Sequence, residues 1–269
     1  MSCLNVARPR AFMVLCSSLL MMTFTASGCV MEVVEGNGVS GTEERPLSSS
    51  QPIDRIEIAS GAFKTVDVYV CDCEQVRVTG DENLLAYVET EQDDELLTID
   101  TRGWLMPEVP LVVEVYTRYV DAISVSGSSN LRVIDLSGGS LRVETSGSSD
   151  VKLKGRLELL EIDTSGSSDV DIVELEARDI RVETSGSSDI DLVGAARTLE
   201  IDTSGSSDVD ASRLVVEEAT IHTSGSSDID VCVTRSLDVS ISGSGDVTYS
   251  CDPEHVTRSI SGSGDVRAR

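Results

Sequence analysis

The hexapeptide Thr-Ser-Gly-Ser-Ser-Asp occupies residues 145–150 and returns at 164–169, 184–189, 203–208 and 223–228. Variants of its core stand at 126–130 (SGSSN), 242–246 and 261–265 (both SGSGD). The central glycines are Gly127, Gly147, Gly166, Gly186, Gly205, Gly225, Gly243 and Gly262, spaced by 20, 19, 20, 19, 20, 18 and 19 residues. So narrow a period limits what the chain can fold into. It calls for one structural unit stacked on copies of itself.

Aligning the units on that glycine exposes columns. Two residues before it stand Val125, Thr145, Thr164, Thr184, Thr203, Thr223, Ile241 and Ile260, all β-branched. Four before it stand Ile123, Val143, Ile162, Val182, Ile201, Ile221 and Val239, with Arg258 breaking the column in the last unit. Four after it, every unit has Leu, Val or Ile, from Leu131 and Val151 to Val266. Polar residues alternate between these columns, which is strand patterning on both sides of a tight turn. A series of hairpins gives the same local pattern but needs no matching side chains at a fixed period. A parallel β-solenoid does need them, because each coil lies about 4.8 Å above the last and like positions touch. The expectation is an all-β fold built from 19–20-residue coils of two strands. Seven intervals extend it roughly 34 Å along the axis. The motif glycine supplies positive φ or room at the corner. Asp and Ser side chains bond the turn amides. A second corner is expected half a coil away, at Gly138-Gly139, Lys154-Gly155, Gly194 and Pro253.

Aromatic residues are only 3% of the chain, so the core must be aliphatic. Acids outnumber bases by 47 to 21, a net charge of −26. Nucleic acid is excluded as a partner, since phosphate binding needs a basic face.

Residues 1–28 read as a signal rather than as fold. Arg8 and Arg10 precede the apolar run AFMVLCSSLLMMTF, and TASGC leads into Cys29. This resembles the lipobox of a bacterial lipoprotein, with Cys29 cut, lipidated and anchored in a membrane outside the cytoplasm. The alternative is an ordinary secretory signal peptide. Without Arg8 and Arg10, 19 of the 21 bases remain against 47 acids, a net of −28. Val30 rather than Asp follows Cys29, which favours the outer membrane or cell surface over the inner membrane. Residues 29–50, rich in Gly, Ser and Glu, are expected to form a flexible stalk. Residues 51–269 are expected to form one solenoid domain, with less regular coils over 51–122 and regular repeats over 123–269. Short alternating strands are expected before residue 120, with one helical turn at DENLLA after Gly80.

Three stretches together carry a family resemblance: EERPLSSSQPIDRIEIASGAFKTVDV, VRVTGDENLLAYVETEQDDELLTID, and the tandem SGSSD and SGSGD units. Over about residues 43–269 the chain closely resembles the putative auto-transporter adhesin, head GIN domain family. The resemblance implies a right-handed, pectin-lyase-like β-helix with GSG turns between its sheets. It also implies an extracytoplasmic location and an adhesive role, and it brings no catalytic residue set. The acidity of the middle coils and the Cys-Asp-Cys at 71–73 depart from the family.

Carboxylates are the main chemical candidates. Three residues after the motif glycine stand Asp150, Asp169, Asp189, Asp208, Asp228, Asp246 and Asp265, and five after it Asp171, Asp191, Asp210 and Asp230. Like charges stacked about 5 Å apart repel by roughly 1 kcal/mol per pair in water. Calcium, which takes several oxygen ligands, offers one relief. The simpler reading has the first column capping turns and the second forming a solvated acidic face with no cofactor. A polysaccharide-active enzyme is the remaining alternative. Against it, the acids repeat identically coil after coil, lack a Lys or Arg set beside them, and leave His222 and His255 without a nucleophile at a readable spacing. Cys232 and Cys251 lie 19 residues apart, one coil, which suits either a cross-coil disulfide or two separate thiols. Cys71 and Cys73 face one side of a strand, where a bridge would be strained; a strained bridge, a pair of thiols and a redox or metal pair stay open there, and zinc is disfavoured because no further Cys or His stands nearby. Trp104, the only Trp, is expected to pack at the first coil, with an exposed sugar- or protein-contact role as the alternative. The reading is a non-catalytic cell-envelope lipoprotein that contacts a glycan, a surface protein or another copy of itself.

Overall fold

This computed structural model describes residues 33–48 and 51–269. The signal at 1–28 and the anchor Cys29 lie outside the described residues.

The repeats form a parallel β-solenoid of about seven turns. Strand β10 (Ala122–Gly127) leads into the long strands β11 (Leu131–Gly147), β12 (Asp150–Gly166), β13 (Asp169–Thr184), β14 (Asp189–Thr203), β15 (Asp208–Thr223) and β16 (Ile229–Ile241). Each pairs in parallel with the next, in the register that the columns require. Val143 meets Ile162, which meets Val182, Ile201, Ile221 and Val239 in turn. These apolar columns are buried along the whole stack and form one continuous aliphatic core.

The motif glycine is needed for space more than for φ. Only Gly127, Gly147 and Gly262 of the eight have positive φ. From Gly147 onward, a Cβ would lie 2.0–2.4 Å from the carbonyl oxygen of the glycine one coil below. That oxygen accepts a hydrogen bond from the next coil's Ser amide, as in Ser206 N to Gly186 O at 2.9 Å. Close approach of backbone to backbone is what excludes every other residue. Beside this corner, Ser129, Ser149, Ser168, Ser188, Ser207 and Ser227 are fully buried. In the last two units the Ser gives way to Gly245 and Gly264.

The second corner explains the alternating 20- and 19-residue intervals. Register shifts between Val133 and Leu136, between Leu153 and Gly155, and between Ile172 and Leu175. Ile134-Asp135 and Val173-Glu174 thus lie opposite a single residue in the shorter coils. The longer coils turn through Asp135 (φ 62) and Glu174 (φ 52), the shorter through Gly155 (φ 144) and Gly194 (φ 146). Lys154-Gly155 and Gly194 therefore sit at the corner. Gly138-Gly139 lies beyond it: Gly138 is in register with Leu157, two residues after Gly155. Pro253 follows a turn through Cys251 and Asp252, both at positive φ. Pairing also skips Gly139, Glu158, Arg178, Arg197 and Glu217, so a coil has three paired stretches where two were expected.

The N-terminal part is built differently. Strands β3 (Arg55–Ile58) and β4 (Thr65–Val70) pair in parallel beneath β10 and β11. Strands β7 (Leu96–Thr101) and β9 (Val112–Thr117) then lie beneath β3 and β4. The chain thus makes its second coil first, drops to the lowest coil, and returns above. Strands β5 (Gln75–Asp81) and β6 (Val88–Asp93) run antiparallel to β9 and β7, and β2 (Ser40–Arg45) runs antiparallel to β5. These antiparallel pairs cover edges that would otherwise template further strands. The DENLLA phrase ends in a 3-10 turn at Leu85–Tyr87.

Residues 33–45 are not a flexible stalk. Strand β1 (Val33–Glu35) pairs in parallel with β8 (Trp104–Met106), and β2 is part of the cap. The fully buried Asp81 carboxylate ties them down, accepting the backbone N–H groups of Gly38, Glu108 and Val109 at 2.7–3.0 Å. Burial pushes this carboxyl up, but the three amides outweigh it and hold it below the usual carboxylate range.

At the other end, β17 (Val247–Ser250) and β19 (Val266–Ala268) stack on β16, as does β18 (His255–Ile260), every residue of which is exposed. Arg258 leaves the apolar column and donates to the Val266 carbonyl at 3.2 Å.

Candidate functional site

The stacked register turns each outward column into a surface ladder. Three residues before the motif glycine run Glu144, Asp163, Glu183, Asp202 and His222. One before it runs a column of serines, among them Ser185, Ser204 and Ser242. From Asp163 to His222, the acid column and these serines line an open groove of about 520 Å³. Five before the glycine, opposite charges alternate. Arg142 lies 3.6 Å from Glu161, and Arg181 lies 3.5 Å from Glu161 and 2.8 Å from Glu200. That ladder neutralises itself. Arg142 also reaches Glu144 at 2.6 Å and Asp163 at 3.3 Å. Glu183 and Asp202 have no cation within 4.0 Å among the described residues, so the groove keeps exposed negative charge beside its hydroxyls. The sequence did hold this signal, as Arg, Glu, Arg, Glu at 142, 161, 181 and 200, once the fifth residue before the glycine is aligned.

The two aspartate columns lie on the other side of the turn. In the first, a carboxylate accepts the backbone N–H of its counterpart one coil on: Asp208 from Asp228 at 3.1 Å, Asp228 from Asp246 at 3.1 Å, and Asp246 from Asp265 at 2.9 Å. Asp169 accepts the Asp189 amide in the same way, yet burial and the neighbouring charges of Asp189 and Asp150 push its carboxyl up. In the second column each acid has a partner of its own. Lys152 lies 2.6 Å from Asp171, Arg213 3.7 Å from Asp191 and Arg269 3.2 Å from Asp230. The amide and hydroxyl of Ser212 bond Asp210 and hold it low. The lattice is therefore less bare of bases than its sequence spacing implied. Among the described residues, no three His, Cys, Asp or Glu side chains converge as a metal cluster.

The four cysteines of the described domain form two disulfides. Cys232 is bonded to Cys251, 19 residues on, and Cys71 to Cys73. The second answers the question that the sequence left open: the turn between β4 and β5 brings the two sulfurs together across Asp72. Trp104 is not a packing residue. It stands 63% exposed on β8.

Fold and faces define the class: a capped parallel β-solenoid with repeated polar ladders and no helix among the described residues long and apolar enough to cross a membrane. The chain belongs to the "putative auto-transporter adhesin, head GIN domain" family, whose model matches residues 55–253. A crystal structure of a putative adhesin from Parabacteroides distasonis is similar at 25% identity with a TM-score of 0.81, over 88% of this chain and 100% of that one. A putative adhesin from Parabacteroides merdae is similar at 22% identity and a TM-score of 0.80, over 88% and 99%. A putative lipid binding protein from P. distasonis follows at 23% and 0.79, over 88% and 100%. No curated protein matches the chain in sequence.

Proposed function

We propose that this protein is a non-catalytic lipoprotein of the bacterial cell envelope, held by a lipid on Cys29, whose solenoid presents the acid and serine ladders as an adhesive face. The observation that carries the reading is the repetition of that face. Glu183 with Ser185 and Asp202 with Ser204 offer the same carboxylate and hydroxyl pair coil after coil, at a spacing suited to a polymer with recurring hydroxyl or amine groups. A glycan or a basic segment of a surface protein has that chemistry. The TASGC lipobox and the two disulfides support an oxidising compartment outside the cytoplasm. No cofactor enters the function, and millimolar calcium is expected to leave the melting temperature unchanged.

The test is retention of the mature protein on immobilised glycans and on intact cells, with Asp202→Lys beside the parent. Retention that falls about ten-fold in the variant, a loss near 1.4 kcal/mol, supports the groove. Equal retention of both proteins moves adhesion to another face. Turnover of an acidic glycan in the same samples reverses the non-catalytic reading.

A further inference from the structure

We propose that the outward face of β1 and β8 docks on the surface of the bilayer in which the Cys29 lipid is anchored. The proposal rests on the lipoprotein reading and adds a second, protein-borne contact to it. Strand alternation divides this two-stranded sheet into two faces. Val34 and Leu105, register partners, lie on the inner face, and Leu105 packs against the core. Val33, Trp104 and Met106 lie on the outer face at 53, 63 and 56% exposure, with Val33 directly opposite Trp104 and the exposed Glu35 opposite Met106 at its rim. In a chain with 3% aromatic residues, its single Trp is thus placed in solvent beside an exposed Val and Met. Such a placement has a cost in water.

Chain length identifies what covers it. Val33 follows Cys29 by four residues, and four residues reach no further than about 14 Å even when fully extended. A lipid on Cys29 therefore holds this sheet within a short distance of the headgroup layer, and among the described residues no other exposed apolar cluster is so tethered. Trp is suited to that layer, with an apolar ring and a single N–H donor. The sheet is also firmly seated. The Met106 carbonyl accepts the Gly36 amide at 2.9 Å, and a Cβ at Gly36 would fall 2.4 Å from the Asp81 carboxylate. Lipid and sheet act as two linked contacts, and a single acyl anchor gains most from a second one. The net negative charge of the chain opposes anionic headgroups, so the surface expected is zwitterionic.

Trp104 is its own reporter. The lipidated mature protein is reconstituted into phosphatidylcholine vesicles, with and without acyl chains brominated near the headgroup. Docking predicts blue-shifted Trp104 emission and quenching of about two-fold, reduced by most in Met106→Glu at unchanged circular dichroism. Lipidated protein that floats with the vesicles but shows neither shift nor quenching overturns the docking and leaves the lipoprotein reading standing. An intact mass without acyl chains overturns both. A blue shift that appears without vesicles as protein concentration rises assigns the face to a second copy and overturns the proposal.

Discussion

The regular coils and the N-terminal cap bury the same kinds of side chain by opposite means. In the coils, β12 to β15 pair only with their sequence neighbours, and the core and turn positions set like on like: Thr145 on Thr164, Gly186 on Gly205, Val182 on Ile201. In the cap, Glu57 of β3 lies between Ser124 and Thr98, residues 67 and 41 positions away in the chain, so the partners follow no fixed period. The coils follow from a local rule applied many times. The cap is one long-range solution that occurs once, and it ends the stack with antiparallel strands and a buried Asp81.

The largest expected effect breaks the rule of the coils. Gly205→Val places a Cβ 2.3 Å from the Gly186 carbonyl oxygen, where backbone cannot yield without opening two coils. It is expected to cost about 3 kcal/mol or more in urea unfolding. Gly139→Ala, in a site with no neighbour within 4 Å, is expected to change stability by less than about 1 kcal/mol. Equal losses in the two variants would show that glycine matters for flexibility rather than stacking.

The cap responds to acid. The Asp81 carboxyl is held low in the fold, so the unfolded chain binds its proton more readily, and its contribution is complete above the unfolded value near pH 3.9. It is lost as pH falls through the lower folded value. Asp169 in the coils is raised and has the opposite sign: acid relieves its repulsion from Asp189 and Asp150. Hydrogen exchange followed through this range should therefore show protection falling in β2, β5 and β9 before it falls in β12 to β15. Asp81→Asn should lower cap protection already at neutral pH and flatten its acid dependence.

A gain in stability is expected inside the coils. The hydroxyls of Thr145, Thr164, Thr184, Thr203 and Thr223 are buried without a hydrogen-bond partner, in a column that begins with Val125 and continues as Ile241. Thr203→Val removes one orphaned hydroxyl at constant shape and is expected to stabilise by about 1 kcal/mol. A loss of that size would mean that the hydroxyls are satisfied by water inside the corner. The smallest effect lies on the surface. Lys152→Ala breaks an exposed pair with Asp171 and is expected to change stability by less than about 1 kcal/mol, and by less again in high salt.

This contrast also explains what could be read from the sequence. The coils were legible because stacking makes each position a copy of the next, so alignment on Gly147 and its equivalents shows core, turn and face at once. The second corner was only partly so. Lys154-Gly155 and Gly194 mark it in the short coils, but the long coils turn through Asp135 and Glu174, whose sequence gives no sign of positive φ. The cap was read as strands without an order, because β3 finds β7 and β10 by shape across distant segments. Residues 40–45, Ser-Gly-Thr-Glu-Glu-Arg, read as linker because an edge strand that buries little is written in polar residues. The acid column was legible as a list of aspartates but not as a list of partners, since Arg213 and Arg269 arrive from other coils.

The central claim is that one register runs through both regions, with the order of the cap coils inverted. Spin-label distances from His222 to Glu144, Ser124, Glu57 and Thr98 test it in a single series. The account predicts four, five, six and seven coil spacings, roughly 19, 24, 29 and 34 Å before label length is added. Thr98 is then the farthest, although in the chain it lies closer to residue 222 than Glu57 does. Distances that fail to rise in even steps, or a Thr98 label nearer than the Glu57 label, would contradict it.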